Sequence, residues 1–168
     1  MLSKNYKNWI ATIDLRICGK CFNNHGQVYE LDDWVEPEPP LHPKCRCVIE
    51  ALKSRLAGTA TTMGNDGADW WLKQTGDLPD YYMTLKEAKA YGYRSYLGNL
   101  ADVLPGKMIT KGIYKNKNGH LPSAVGRVWY EADINYNEGH RGNERILFSN
   151  DGLIFVTYDH YFTFEEIV

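Results

Sequence analysis

The chain is 168 residues long, 43% apolar and 24% charged, which fits one globular domain, or one domain with a small module, and excludes global disorder. No run of about 18 apolar residues occurs, so no membrane-spanning helix is expected. The net charge of −2 divides unevenly: residues 1–63 hold eight Lys/Arg and seven Asp/Glu, and residues 64–168 hold eleven and fourteen. Any affinity for a polyanion must come from a local cluster, because neither part carries a general basic footprint.

The first segment opens on Met1-Leu2-Ser3-Lys4-Asn5-Tyr6, which lacks the apolar stretch of a secretory signal. It shows little hydrophobic periodicity and contains all four cysteines. Cys18-x2-Cys21 followed by His42-x2-Cys45-x-Cys47 places five soft or borderline ligands within thirty residues. Zn²⁺ takes four such ligands tetrahedrally, and two short knuckles joined by a loop are the usual way to supply them. A segment this short buries little apolar area, so a structural zinc would contribute folding free energy directly. The competing arrangement is two disulfides; without an export signal, a reducing compartment favours metal. Cys18, Cys21, His42 and Cys45 are the first choice of ligands, with Cys47 as competitor. His25 is expected in a surface loop.

Val48 to Leu56 reads as a short helix or strand. Ala57-Gly58-Thr59-Ala60-Thr61-Thr62-Met63-Gly64 is small, polar and punctuated by glycine, which predicts a linker. The chain thus divides into a Cys/His module over 1–56, a linker over 57–64 and a larger domain over 65–168. In that domain Ala68, Trp71 and Leu72 predict a helix ending near Gly76. Thr84 with Glu87 three residues on forms a capping box for a second helix, ending near Tyr91-Gly92. A short third helix starts at Asn99. Beyond Pro105-Gly106, β-branched and aromatic runs over 127–134, 145–148, 153–158 and 161–167 are separated by turn signals such as Asn118-Gly119 and Asn150-Asp151-Gly152. Helices first and strands later predict an α+β fold, with N-terminal helices packed on a twisted antiparallel sheet.

Three features of the later strands carry chemistry. Glu131 and Asp133 share a strand face, so one carboxylate can act while the other is structural. Arg141 and Arg145 stand four apart around a turn, close enough to clamp one phosphate. His160 lies between two hairpin strands. Taken singly each has an ordinary explanation: a solvated carboxylate, an arginine stem covering apolar surface, a polar turn residue.

What joins them is a resemblance. Leu78-Pro79-Asp80, Gly98-Asn99-Leu100-Ala101-Asp102-Val103, Pro105-Gly106-Lys107, Trp129 with Glu131-Ala132-Asp133-Ile134-Asn135-Tyr136, Arg145-Ile146-Leu147 and Asp159-His160-Tyr161 resemble, in order and nearly without gaps, the barnase-like guanyl-type bacterial ribonucleases. The resemblance implies the microbial ribonuclease fold and an endonuclease acting on single-stranded RNA without a catalytic cofactor. It implies Glu131 as the base that takes the 2′-hydroxyl proton and His160 as the acid that protonates the leaving 5′-oxygen. Arg141 and Arg145 would hold the phosphate. Tyr114 with Lys115, Asn116, Lys117 and Asn118 would receive the base, and Tyr161 and Lys86 complete the substrate-binding set. A 2′,3′-cyclic phosphate, then hydrolysed, would be the intermediate, and DNA would not be cut.

Two positions depart from the family. Its lysine before the second helix is Leu85 here, with Lys86 one residue later and about 100° further round the helix, so weaker transition-state stabilisation is expected. Its base-reading glutamate is Asn118, whose amide offers one acceptor oxygen and adds a donor, so guanine preference is expected to relax. The resemblance also implies an antibacterial or phage-associated toxin made in the bacterial cytoplasm, carried out by a phage particle or secretion system, and held by an acidic barstar-like inhibitor. The segment Trp9 to Asp14 and Pro40-Leu41-His42-Pro43-Lys44-Cys45-Arg46-Cys47 resembles the C-terminal end of phage head-morphogenesis proteins. The competing readings are an inactive phage structural remnant and a zinc-dependent nucleic-acid-binding module.

Overall fold

A computed structural model describes residues 1–168. In chain order the elements are β1 (Leu2–Ile10), α1 (Gly19–Asn24), β2 (Val28–Glu30), β3 (Val48–Arg55), α2 (Ala68–Thr75), β4 (Tyr82–Thr84), α3 (Leu85–Ala90), α4 (Leu100–Val103), β5 (Met108–Tyr114), β6 (Trp129–Asp133), β7 (Arg145–Ser149), β8 (Ile154–Thr157) and β9 (Glu165–Ile167). No helix is long and apolar enough to cross a membrane.

All nine strands belong to one sheet, in the order β2-β1-β3-β9-β8-β7-β6-β5-β4. The sheet is not the purely antiparallel one that the sequence predicts: β3–β9 and β4–β5 are parallel pairs. β5 through β9 form the antiparallel run, in which alternate residues serve opposite faces. Ala132, Ile146, Ile154 and Val156 pack with Ala68 and Leu72 of α2. Trp129, Leu147 and Phe155 turn the other way and pack with Tyr6, Val28 and Leu52 from the first segment. The Cys/His segment therefore contributes strands to the sheet and side chains to its second core, and keeps only a small core of its own around Trp9 and Cys21.

The helices form where their local signals lie. Gly76 ends α2 with φ 82°, the left-handed C-cap that favours glycine. Thr84 and Glu87 complete a reciprocal capping box on α3, and Asn99 precedes α4. Two expectations are corrected. Residues 57–64 are no free tether: the fully buried Asp69 carboxylate accepts from the Gly58 and Ala60 backbone N–H groups at 2.7 and 2.9 Å, and from the Thr61 hydroxyl at 3.0 Å. His25 is not a surface residue; it is 7% exposed, and its Nδ1 accepts from the Ala11 N–H at 3.0 Å.

Replacing Asp69 by Ala leaves those donors without partners in a dry place. Asp69→Ala is expected to lower the unfolding free energy by about 2–3 kcal/mol, measured by urea denaturation of the full chain.

Candidate active site

β6 sends Ala132 into the helix-covered core and Glu131 and Asp133 to the opposite face, beside their β7 register partners Leu147 and Arg145. Both carboxylates are buried, at 8% and 2% exposure, and their partners separate their roles. Asp133 holds both arginines: its Oδ1 accepts from Arg141 Nη2 at 2.8 Å, its Oδ2 accepts from Arg141 Nε, and Arg145 Nε lies 3.0 Å from Oδ1. The last contact is an ion pair outside hydrogen-bond geometry. Arg145 donates instead through Nη1 to the carbonyls of Gly142 and Glu144, both at 2.7 Å.

Glu131 faces a phenol and an ammonium. Its Oε2 accepts from the Tyr161 hydroxyl, and Lys111 Nζ lies 3.8 Å from its Oε1 and 3.5 Å from the Tyr161 oxygen. Burial, then the Glu131 carboxylate, push the Tyr161 phenol well above the usual tyrosine range, with the Arg145 charge pulling the other way. Tyr161 therefore remains a proton donor at neutral pH.

His160 and Tyr161 occupy a tight loop between β8 and β9 with φ of 61° and 70°, a region costly to side-chain-bearing residues. Asp159 compensates. Its Oδ1 accepts from the Thr157 hydroxyl and the Phe162 and Thr163 backbone N–H groups at 2.9, 3.0 and 2.8 Å, and its Oδ2 accepts from the Thr163 hydroxyl at 2.6 Å. Burial alone would raise the Asp159 carboxyl, but the Thr163 hydrogen bonds outweigh it and hold the carboxyl below its ordinary value. The His160 ring is left exposed, tilted over Tyr161 at 4.8 Å between centroids.

Glu131, His160 and Tyr161 line one open cleft of about 1020 Å³, together with Tyr114 through Asn118. Tyr114 is stacked on Tyr161 at 5.3 Å and 15°. Lys115, Lys117 and Asn118 are exposed there. Asn116 is not free to read a base: its Nδ2 donates to the Leu121 carbonyl at 2.8 Å and its Oδ1 accepts from the Leu121 N–H at 3.1 Å. Lys86 is exposed on α3 and away from the cleft wall, while Leu85 packs with the Tyr93–Leu100–Ile109 core. Arg141 and Arg145 do not line the wall either, but their charges act on Lys111.

Sequence reasoning missed Lys111, Asp159 as a loop organiser, and His120. Lys111 lies on β5, a strand hidden by Gly112, where the pairing with β6 shifts register. His120 is 8% exposed, between the carbonyls of Tyr161 at 3.3 Å and Asn23 at 3.4 Å. It joins the cleft to the first segment, which adds Phe22, Asn23 and His25 to the cleft wall.

The five cysteine and histidine ligands converge on Cys21. Cys18 Sγ and Cys21 Sγ lie 3.2 and 3.3 Å from His42 Nε2, and Cys21 Sγ lies 3.7 Å from Cys45 Sγ; Cys21, Cys45 and Cys47 form a second group. Ligands about 2.3 Å from a tetrahedral zinc lie about 3.8 Å from one another; Cys18, Cys21 and His42 are mutually that close, while Cys45 and Cys47 join them through Cys21. All four cysteines are free. His42 Nδ1 is 2.9 Å from the Pro43 carbonyl, a contact that as a donated hydrogen bond leaves the Nε2 lone pair facing the sulfurs.

A family model described as ribonuclease matches residues 65–168. Proteins named ribonuclease from Heyndrickxia coagulans, Bacillus intermedius and Bacillus pumilus are each 48% identical to this chain over 102 residues, or 61% of its length. That stretch is 94% of the Heyndrickxia protein and 63% of each Bacillus protein.

Asp133→Asn keeps the shape but leaves two guanidinium groups, 13% and 6% exposed, without their counter-charge. Chemical denaturation is expected to show a loss of about 3 kcal/mol or more in unfolding free energy.

Proposed function

We propose that this chain, which belongs to the ribonuclease family through residues 65–168 and is an endoribonuclease, cuts single-stranded RNA in two steps through a 2′,3′-cyclic phosphate. The observation that carries this reading is the shared cleft of Glu131 and His160. A buried carboxylate with its own donors and an exposed imidazole suit opposite halves of a proton-transfer pair.

In the first step Glu131 takes the 2′-hydroxyl proton. O2′ attacks phosphorus, the bond to O5′ breaks, and His160 gives its proton to the departing oxygen. In the second step His160 takes a proton from water, the hydroxide opens the ring, and Glu131 returns its proton to O2′, leaving a 3′-phosphate. Charge gathers on the phosphate oxygens in both steps. Arg141 and Arg145, oriented in advance by Asp133, and Lys111 beside Glu131 are the cations available to meet it. No step uses a metal. Lys111 is a charged neighbour of the base where the family's lysine position holds Leu85. The base loop presents Tyr114, Lys115, Lys117 and Asn118 to the substrate; with an amide at Asn118, cutting is not confined to guanine.

The Cys/His cluster is the site of a structural zinc in this reading, held by Cys18, Cys21, His42 and Cys45, with Cys47 in reserve. The donor set, the close Cys18–Cys21–His42 triad and the small size of the core around Trp9 support it. Backbone and side-chain hydrogen bonds from Cys21 draw the Cys18 thiol down to about 7, the direction a zinc ligand needs, while burial pushes the Cys21 thiol up, so that thiol would ionise only against the metal's own charge. An RNA-cutting enzyme that needs no cofactor endangers the cell that makes it. An antibacterial or phage-associated role therefore fits, with synthesis in a bacterial cytoplasm, delivery by a phage particle or secretion system, and an acidic barstar-like inhibitor facing the basic cleft.

The purified chain is expected to cut RNA and leave DNA intact, giving cyclic-phosphate ends. Glu131→Ala and His160→Ala should each lower kcat/KM by about 10²–10⁴. Sequencing the cut sites of the same digests should find bases other than guanine; strict guanine cutting would refute the role given to Asn118.

Metal analysis of the purified chain should find one zinc per molecule. Cys18→Ser and Cys21→Ser should lose it and unfold at lower denaturant; a metal-free wild type of equal stability would remove zinc from this account.

A further inference from the structure

We propose that α1 of the Cys/His segment gives the cleft a stacking site for a second nucleobase, that of the nucleoside released at the 5′-oxygen, with Phe22 as its platform. This rests on the ribonuclease reading and goes beyond it, since the residues lie outside the matched 65–168 region.

Phe22 is 44% exposed, and among the large hydrophobic residues left exposed only Phe22 and Ile113 line the Glu131–His160 cleft. Its ring faces Phe162 at 5.5 Å and 52°, and Phe162 follows His160 by two residues. An aromatic edge that remains in water beside a nucleic-acid cleft is a ready surface for an unpaired base to stack on.

The platform is rigid relative to the general acid. Cys18 Sγ caps α1 by accepting from the Cys21 N–H at 3.4 Å, and Cys21 is buried beside Trp9. Past the helix, the His25 ring packs against Phe162 at 4.8 Å, and the Gly26 N–H donates to the Trp9 carbonyl at 2.9 Å. Gly26 has φ 80°, and a Cβ there would stand 1.9 Å from the Phe162 carbonyl oxygen, so the contact requires glycine.

The chemistry decides which base is taken. His160 must reach O5′, so the nucleoside bearing that oxygen lies on the side of the His160 loop, where Phe162 and Phe22 stand. The base of the nucleotide attacked at phosphorus goes to Tyr114–Asn118, a separate stretch of the same cleft wall.

The test uses the full chain as wild type, Phe22→Ala and Phe22→Trp. It compares kcat/KM on guanylyl-3′,5′-adenosine with that on guanosine 3′-(methyl phosphate), which has the same phosphodiester and no leaving base. The wild-type preference for the dinucleotide over the methyl ester is expected to fall about tenfold in Phe22→Ala, as the loss of one stacked base predicts, and to return in Phe22→Trp. A Phe22→Ala protein that slows both substrates alike, or that keeps the wild-type preference, overturns the stacking site while leaving the ribonuclease reading intact. A wild type inert on both substrates overturns that reading, and this site with it.

Discussion

The Asp133 carboxylate, 2% exposed between two guanidinium groups, is the constraint around which the rest of the site is arranged. A buried charge is tolerated only when paired and hydrogen-bonded, and here one acid is paired with two bases. The surplus positive charge is what a phosphate can use. Asp133 is two residues from Glu131 on the same strand face, so the pairing also determines where the Glu131 carboxylate, the base of the proposed reaction, stands relative to those cations. Glu131 is left with a phenol and a more distant ammonium. Neither is a guanidinium clamp of the kind that holds Asp133. The strand's period of two thus separates a structural acid, Asp133, from the proposed base, Glu131, at almost no distance.

The features legible in the sequence were those whose partners lie close along the chain. The Thr84–Glu87 capping box spans three residues and forms as expected; Asn150-Asp151-Gly152 turns β7 into β8. The pairing of Glu131 and Asp133 on one face follows from strand geometry alone. β1 was hidden because its inward residues include Ser3 and Asn8, and a register shift between Leu2 and Lys7 breaks the alternation. The joining of the two parts was hidden for a different reason. Ser54 and Arg55 pair with Glu166 and Ile167, a contact across most of the chain's length that no local pattern announces. Ala57 to Gly64 has the composition of a tether, yet Asp69, a single acid beyond it, ties it down.

The same distance rule explains the His160 loop. Asp159-His160-Tyr161 signals chemistry by likeness to a family, but composition does not reveal that Asp159 carries four hydrogen bonds to sustain two left-handed residues. Lys111 was harder still. Its strand is interrupted by Gly112, and its importance appears only where β5 meets β6 and the Tyr161 ring.

The local cluster of cations that the charge balance calls for is supplied by position. Residues 64–168 carry fourteen acids against eleven bases. Yet Lys115 and Lys117 line the cleft, Lys111 stands beside Glu131, and Arg141 and Arg145 gather on Asp133. With so few cations and so many acids elsewhere, long-range steering of RNA is weak, and attraction operates mainly within about a Debye length, roughly 10 Å at 0.1 M salt. Recognition must then rest more on short-range contact than on field. A cleft enlarged by an added wall, with aromatic rings at Tyr114, Tyr161, Phe162 and Phe22, supplies contact of the kind that salt does not screen.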